Sequence, residues 1–257
     1  MTSFSPEERE RYARHILLKE IGGPGQHALK NASVALIGVG GLGAPAALYL
    51  AAAGVGALRL IDDDQVSLSN LQRQILYSTQ DQGADKVARA EEKLLALNPH
   101  VIIDARAERI TPENAKTLLA GIDIVLDGSD SFATRYAVNE ACHALGVTLV
   151  SGAVGRWDGQ IATFKSGPTK HLPPEQRLPC YRCLVPETPP NQETCSEVGI
   201  VGALTGVIGA HMALEAIKEI TEASADTLAG RLYIFDGLSS QSRTIRLPRD
   251  PACPVCS

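Results

Sequence analysis

The feature that most constrains this chain is a glycine loop set between two short apolar runs. Residues 34–37 are continuously apolar, and Gly38-Val39-Gly40-Gly41-Leu42-Gly43 follows at once. An alanine-rich stretch then reaches Gly54, and a second apolar run, 58–61, ends on Asp62-Asp63-Asp64. Short runs without polar alternation suit strands buried on both faces of a parallel sheet. In Gly38-x-Gly40-x-x-Gly43 the first glycine permits a tight turn, the second lets backbone approach a phosphate, and the third lets the helix pack on the sheet. The helix start offers unpaired N–H groups to an anion, and Asp62 is placed to accept hydrogen bonds from ribose hydroxyls. Strand, loop, helix, strand and acid in this order predict a nucleotide site. Glycines that serve only close packing are the plainer alternative, and the motif fits NAD as well as ATP.

The rest of the chain continues the alternation. Ser5-Pro6-Glu7-Glu8 reads as a capped helix start, with a helix to about Glu20 that carries Arg9, Arg11 and Arg14 and stops at Gly22-Gly23-Pro24-Gly25. Helices are expected at 86–97, at 112–120 with Thr111 as cap, and at 134–145; strands at 101–105, 122–126 and 147–150. This pattern predicts a doubly wound parallel sheet. After Ser151 the style changes to strands at 160–164 and 232–235 around a helix at 199–220. Residues 167–191 hold seven of the fifteen prolines, and so long an irregular stretch is usually functional or mobile. No internal repeat is visible. At 257 residues and 44% hydrophobic content the chain can bury one substantial core;. The polar, charged residues 1–10 do not read as a secretory signal, and no run reaches the roughly 20 apolar residues of a membrane helix. A soluble, cytoplasmic protein is expected, and a net charge of −5 argues against a nucleic-acid partner;.

The residues after Asp62 favour phosphate chemistry. A dehydrogenase needs a second nucleotide half and a substrate domain, for which little chain remains. Instead Asn70 and Arg73 supply an amide and a guanidinium, Lys86 opens a helix, and Asp130 lies just past a strand end, where open α/β sheets place ligands. Two cations and a carboxylate around a triphosphate suit in-line displacement at phosphorus with Mg²⁺. The plainer reading is surface salt bridging by Arg73 and Lys86.

Four of the six cysteines form two CxxC knuckles, Cys180/Cys183 and Cys253/Cys256. Four thiolates make a closed tetrahedral zinc site, so the metal is structural, with a redox pair as the rival. Cys195 belongs to neither pair. It precedes a helix whose N-terminus can lower its pKa, so a nucleophile or redox thiol and an inert residue stay equally open. Cys142 sits inside an apolar helix and reads as core, and none of the histidines shows ligand spacing.

Residues 38–76, together with RYARHILL at 11–18, Lys86, DGSD at 127–130, PCYRC at 179–183, TCSEVGIVG at 194–202 and CPVC at 253–256, resemble the MoeB/ThiF family, bacterial relatives of ubiquitin-activating enzymes. The resemblance covers nearly the whole chain. It implies a Rossmann-like, mostly parallel sheet extended by C-terminal antiparallel strands, with a four-cysteine zinc knuckle. One domain is expected: a helical arm (1–30), a nucleotide-binding half (31–152) and a carrier-binding half (153–257) with a mobile segment at 167–194. The implied activity is ATP-dependent adenylation of the C-terminal glycine of a small ubiquitin-like sulfur carrier, releasing pyrophosphate. By the same resemblance Gly38, Gly40, Gly41 and Gly43 form the phosphate loop and Asp62 holds the ribose. Asn70, Arg73 and Lys86 contact phosphates, Asp130 positions Mg²⁺, and Arg14 enters from the other subunit of a homodimer. Cys195 matches a family cysteine that forms a covalent carrier link in ThiF-like members. Ser131 departs from the asparagine often found there, which weakens one nucleotide contact. The sequence stops at Ser257 without a rhodanese-like extension, so another protein is expected to supply sulfur. Asp62-Asp63-Asp64 and residues 237–241 look ThiF-like, residues 149–153 MoeB-like, pointing to thiamine and molybdenum cofactor biosynthesis respectively. An NAD-dependent oxidoreductase and a relative acting on tRNA are the alternatives.

Overall fold

The computed structural model describes residues 4–189 and 199–257. Eight strands form one sheet in the order β3-β2-β1-β4-β5-β6-β7-β8. The first five, β1 (Ser33–Ile37), β2 (Ala57–Ile61), β3 (Ile102–Arg106), β4 (Ile124–Asp127) and β5 (Thr148–Gly155), pair in parallel. The last three, β6 (Asp158–Phe164), β7 (Arg231–Asp236) and β8 (Gln241–Arg246), extend it antiparallel. The expected sheet is therefore observed, with β5 running past Val150 to Gly155.

The apolar runs are explained by burial on both faces. Val34, Leu36, Leu58, Leu60 and Leu126 face one core. It is covered by α4 (Gly43–Ala53), α5 (Lys86–Leu97) and α10 (Gly202–Thr221). Ala35, Ile37, Val125 and Leu149 face the other, under α7 (Phe132–Leu145) and the short α6 (Ala115–Leu118). At about 25 cal/mol per Å² of apolar surface, a fully buried leucine contributes roughly 1.5–3 kcal/mol, so this two-sided core dominates the fold's stability.

The N-terminal region corrects two expectations. The capping box at Ser5 and Glu8 is present, but the helix breaks at Tyr12 into α1 (Pro6–Arg11) and α2 (Ala13–Ile16). Tyr12 is buried, and its hydroxyl accepts a hydrogen bond from Asn98 Nδ2 at 2.8 Å, so the anchored ring sets where the chain turns. The glycine–proline run does not end a helix; it begins α3 (Gly22–Asn31). Pro24 lies in the first turn, where no intrahelical donor is required. Leu29 and Gln26 bury inward from α3, and Gln26 Nε2 donates to Ala53 O at 2.8 Å. The helix expected at 112–120 shrinks to α6, because Asn114 Oδ1 accepts from the Thr111 N–H at 2.7 Å and closes a turn first;.

The proline-rich stretch holds short helical pieces as far as it is described: α8 (Ser166–Thr169), a single 3₁₀ turn at Pro174–Gln176 and α9 (Tyr181–Leu184). Cys195 and the end of the segment expected to be mobile lie outside the described residues. Among the described residues, no helix is long and apolar enough to cross a membrane.

Candidate active site and metal centre

Because β1 feeds β2 on one side while β4 lies on its other side, the sheet has its switch point between β1 and β4. Ligands of open α/β sheets bind outside the carboxyl ends of the strands at such a point. A cavity of about 710 Å³ opens there. Gly38, Gly40, Gly41, Asp62, Asn70, Arg73, Lys86, Asp130 and Ser131 all line it, although they come from well-separated stretches of chain.

The glycine loop is shaped by sterics. Gly38 has φ +81°, a left-handed conformation that glycine adopts without strain, and a Cβ on Gly43 would lie 1.9 Å from Gly38 O;. Gly43 does not line the cavity; it lets α4 start hard against the loop. Gly43→Ala is expected to push the loop open, lowering stability by about 1–3 kcal/mol and greatly weakening nucleotide binding. Thermal unfolding and a nucleotide titration check this, and unchanged affinity would remove the loop from the phosphate site.

Asp62 and Lys86 form the polar floor. Asp62 Oδ2 accepts from the Val39 N–H at 2.7 Å, and Oδ1 from the Asp64 N–H at 2.9 Å. Burial pushes the Asp62 carboxyl above its ordinary value, with Lys86 and the two backbone donors opposing. Lys86 is 4% exposed; its Nζ lies 2.7 Å from Asp64 Oδ2 and 3.9 Å from Asp62 Oδ1. Lys86 opens α5, where the positive end of the helix disfavours a cation. Its pairing is internal to the site, not the surface bridging that was the plainer reading.

Arg73 follows the 3₁₀ turn Leu68–Asn70 and donates from Nη1 to Ser69 O at 3.0 Å. Thr205 Oγ1, in the first turn of α10, donates to Arg73 O at 3.1 Å and ties this loop to that helix. Asp130 is exposed on the cavity rim, and Ser131 occupies the N-cap position of α7 without a side-chain capping bond. Arg14 lies exposed on α2 and does not line the cavity of its own chain.

Of the further lining residues that sequence reasoning did not single out, three are buried polar or aromatic side chains that bear on the site's chemistry. Gln74 is 4% exposed, and its Oε1 has no hydrogen-bond partner among the described residues. Arg135, in the first turn of α7, and Tyr181, inside the first CxxC knuckle, are both buried. The nearest sequence signal for Arg135 is a basic residue one turn into the helix that follows Asp127-Gly128-Ser129-Asp130.

The four knuckle cysteines converge as expected. Cys180 Sγ lies 3.5 Å from Cys253 Sγ, Cys183 Sγ lies 3.4 Å from Cys256 Sγ, and all four sulfurs fall within 4.8 Å of one another. Sulfurs on a tetrahedral zinc at about 2.3 Å stand just under 4 Å apart, whereas a disulfide requires about 2.05 Å. The spacing fits a metal and excludes bonded pairs. Cys142 is buried on α7, and burial pushes its thiol well up, as a core residue.

The ThiF family model matches residues 12–255. The chain is 45% identical over 255 residues to the sulfur carrier protein adenylyltransferase of Thermus thermophilus, covering 98% of this chain and 92% of that protein. It is 47% identical over 257 residues to the adenylyltransferase and sulfurtransferase MOCS3 of Drosophila grimshawi, where it covers 99% of this chain and 55% of that longer protein. Among solved structures, E. coli MccB with MccA-N7isoASN superposes with a TM-score of 0.79 at 25% identity, over 96% of this chain and 75% of that one. A glycine loop, a largely buried acid and two cations meet at one switch point, and the family match runs almost end to end over the same chain: this chain belongs to the ThiF family.

Proposed function

We propose that this chain uses ATP to adenylate the C-terminal carboxylate of a small β-grasp sulfur-carrier protein, releasing pyrophosphate. The observation that carries this reading is the convergence of Asp62, Arg73, Lys86 and Asp130 on one cavity at the sheet's switch point. The Thermus thermophilus relative named as a sulfur carrier protein adenylyltransferase, covered over 92% of its length, supports it over oxidoreductase or tRNA chemistry.

The parts divide the work. The glycine loop and the start of α4 hold phosphates by backbone N–H groups. Asp62 accepts from the ribose hydroxyls. Asn70, Arg73 and Lys86 contact the phosphates, the two cations neutralising their charge; Asp130 would position Mg²⁺, which would supply further positive charge to the phosphoryl group, and Ser131 makes one nucleotide contact. A carboxylate is a weak nucleophile, so rate comes from orientation and charge neutralisation. The four-cysteine cluster binds a structural Zn²⁺, and Arg14 completes the site of a second copy in a homodimer. Cys195 remains the candidate for any covalent carrier step. The protein works in the cytoplasm, in molybdenum cofactor or thiamine biosynthesis.

The test is ATP–pyrophosphate exchange with metal-retaining protein and a carrier ending in Gly-Gly. Exchange that requires the carrier is expected. Absence of exchange with every such carrier would sink the reading.

A further inference from the structure

Of the cations that line the cavity, two are matched by acids. Lys86 pairs with Asp64 and Asp62, and Arg109 Nε lies 3.0 Å from Asp63 Oδ2. Two are not matched: Arg73 donates to a carbonyl, and Arg135 pairs with no carboxylate among the described residues. Arg135 is the more demanding case because it is 7% exposed. Its Nη1 donates to Ser151 Oγ at 3.0 Å, and its Nη2 donates to Gly152 O at 2.8 Å and to Ser129 O. All three acceptors are neutral. The buried Asp127 carboxylate forms no ion pair with Arg135: its Oδ1 accepts from the Ser129 N–H and hydroxyl at 2.9 and 2.7 Å, and its Oδ2 meets no hydrogen-bond donor among the described residues. A buried cation that meets only neutral oxygens carries a desolvation cost that an arriving anion offsets.

The placement indicates which anion. Arg73 sits on the loop after β2, tied to α10 beside the glycine loop. Arg135 sits on a different wall, where it joins the loop after β4 to the middle of β5. From there the wall continues along β5 and β6 through Ala153, Val154 and Gln160. Adenylation brings two anions together, a carboxylate and the α-phosphoryl group it attacks, and their mutual repulsion must be offset. One unmatched cation on each wall supplies this.

We propose that Arg135 forms the carboxylate subsite of this cavity, holding the attacking carboxylate of the acyl substrate beside the end of β4 and the middle of β5. The inference rests on the adenylation reading. In the step it serves, a carboxylate oxygen forms a bond to the α-phosphorus and the bond from that phosphorus to the bridging oxygen breaks. Pyrophosphate leaves with the electron pair. No proton moves, so Arg135 stays charged throughout and acts by attraction and alignment.

The experiment pairs two proteins with two ligands. Wild type and Arg135→Gln are titrated with a carrier ending in Gly-Gly, prepared with a free C-terminal carboxylate and as the C-terminal amide. Thermal unfolding verifies that the variant folds, and Arg135→Lys serves as the charge-retaining control. Wild type is expected to prefer the carboxylate carrier by 10-fold or more. Arg135→Gln should lose that preference while binding the amide carrier as wild type does, and while keeping MgATP affinity within about threefold. Arg135→Lys should recover part of the preference. Equal weakening of both carriers in Arg135→Gln would reduce Arg135 to a brace between loops, and an unchanged preference would remove it from the subsite. Both results overturn the proposal while wild-type exchange stays intact. Wild-type protein that shows no exchange with the carboxylate carrier overturns the adenylation reading and the subsite with it.

Discussion

Lys86→Ala is expected to lower carrier-dependent ATP–pyrophosphate exchange by about 10²–10³-fold, the effect of removing one preorganised charge from a reacting phosphoryl group. The structure adds a second consequence. Lys86 Nζ lies 2.7 Å from Asp64 and 3.9 Å from Asp62, and Asp62 is itself nearly buried. Removing the cation leaves two neighbouring carboxylates without their counter-charge, a loss of about 1–3 kcal/mol for partners left unsatisfied. The Asp62 carboxyl, already raised by burial, rises further because its strongest opposing influence is gone. Arg73→Ala should behave differently. Arg73 is only partly buried and donates to one carbonyl, so exchange should fall as steeply while thermal stability stays near wild type. Exchange rates and unfolding curves for the two variants separate these effects. Wild-type exchange in either would retire its assigned role.

The contrast marks how far the sequence could be read. The loop from Gly38 to Gly43, Asp62 and α5 from Lys86 to Leu97 were legible because their signals are local: glycine spacing, apolar runs, and an Asn98-Pro99 stop. The convergence of these residues followed from one rule about switch points. What escaped depended on contacts between distant segments. Arg135 reads as an ordinary helical arginine until β4 and β5 lie side by side and present Ser129 O and Gly152 O to it. Tyr12 breaks its helix because Asn98, 86 positions away, holds its hydroxyl. The glycines at 22–25 read as a stop because their helix is selected by burial of Gln26 and Leu29 rather than by propensity. β8 gave no signal because every residue in it is exposed, so nothing imposes alternation;.

Cys180→Ser is expected to release the metal and to disturb the nucleotide cavity as well. The clip joins positions 73 apart, and by chain-entropy arguments closing a loop of that size stabilises by about 4 kcal/mol;. For a domain of this size that corresponds to a Tm drop on the order of 10 °C. The effect should reach the active site through the knuckle's two middle residues. Tyr181 N–H donates to Asn139 Oδ1 on α7 at 2.8 Å, and its ring packs edge-on against Tyr136 and Phe164. The Arg182 guanidinium lies over the Tyr136 ring at 3.5 Å. Tyr136 and Asn139 lie on the same helix as Arg135, and Tyr181 lines the cavity with its ring 5.9 Å from the Arg135 guanidinium. Loosening the cysteine turn therefore frees a wall of the site. Metal content should fall toward zero, residues 247–257 should become protease-sensitive, and MgATP or carrier affinity should weaken together with them. Tyr181→Ala isolates the link: it should keep its metal and still lose ligand affinity. Full metal content in Cys180→Ser would remove the clip altogether. Metal loss with unchanged ligand affinity would confine the four cysteines to holding segment 247–257, and would leave Tyr181 as packing alone.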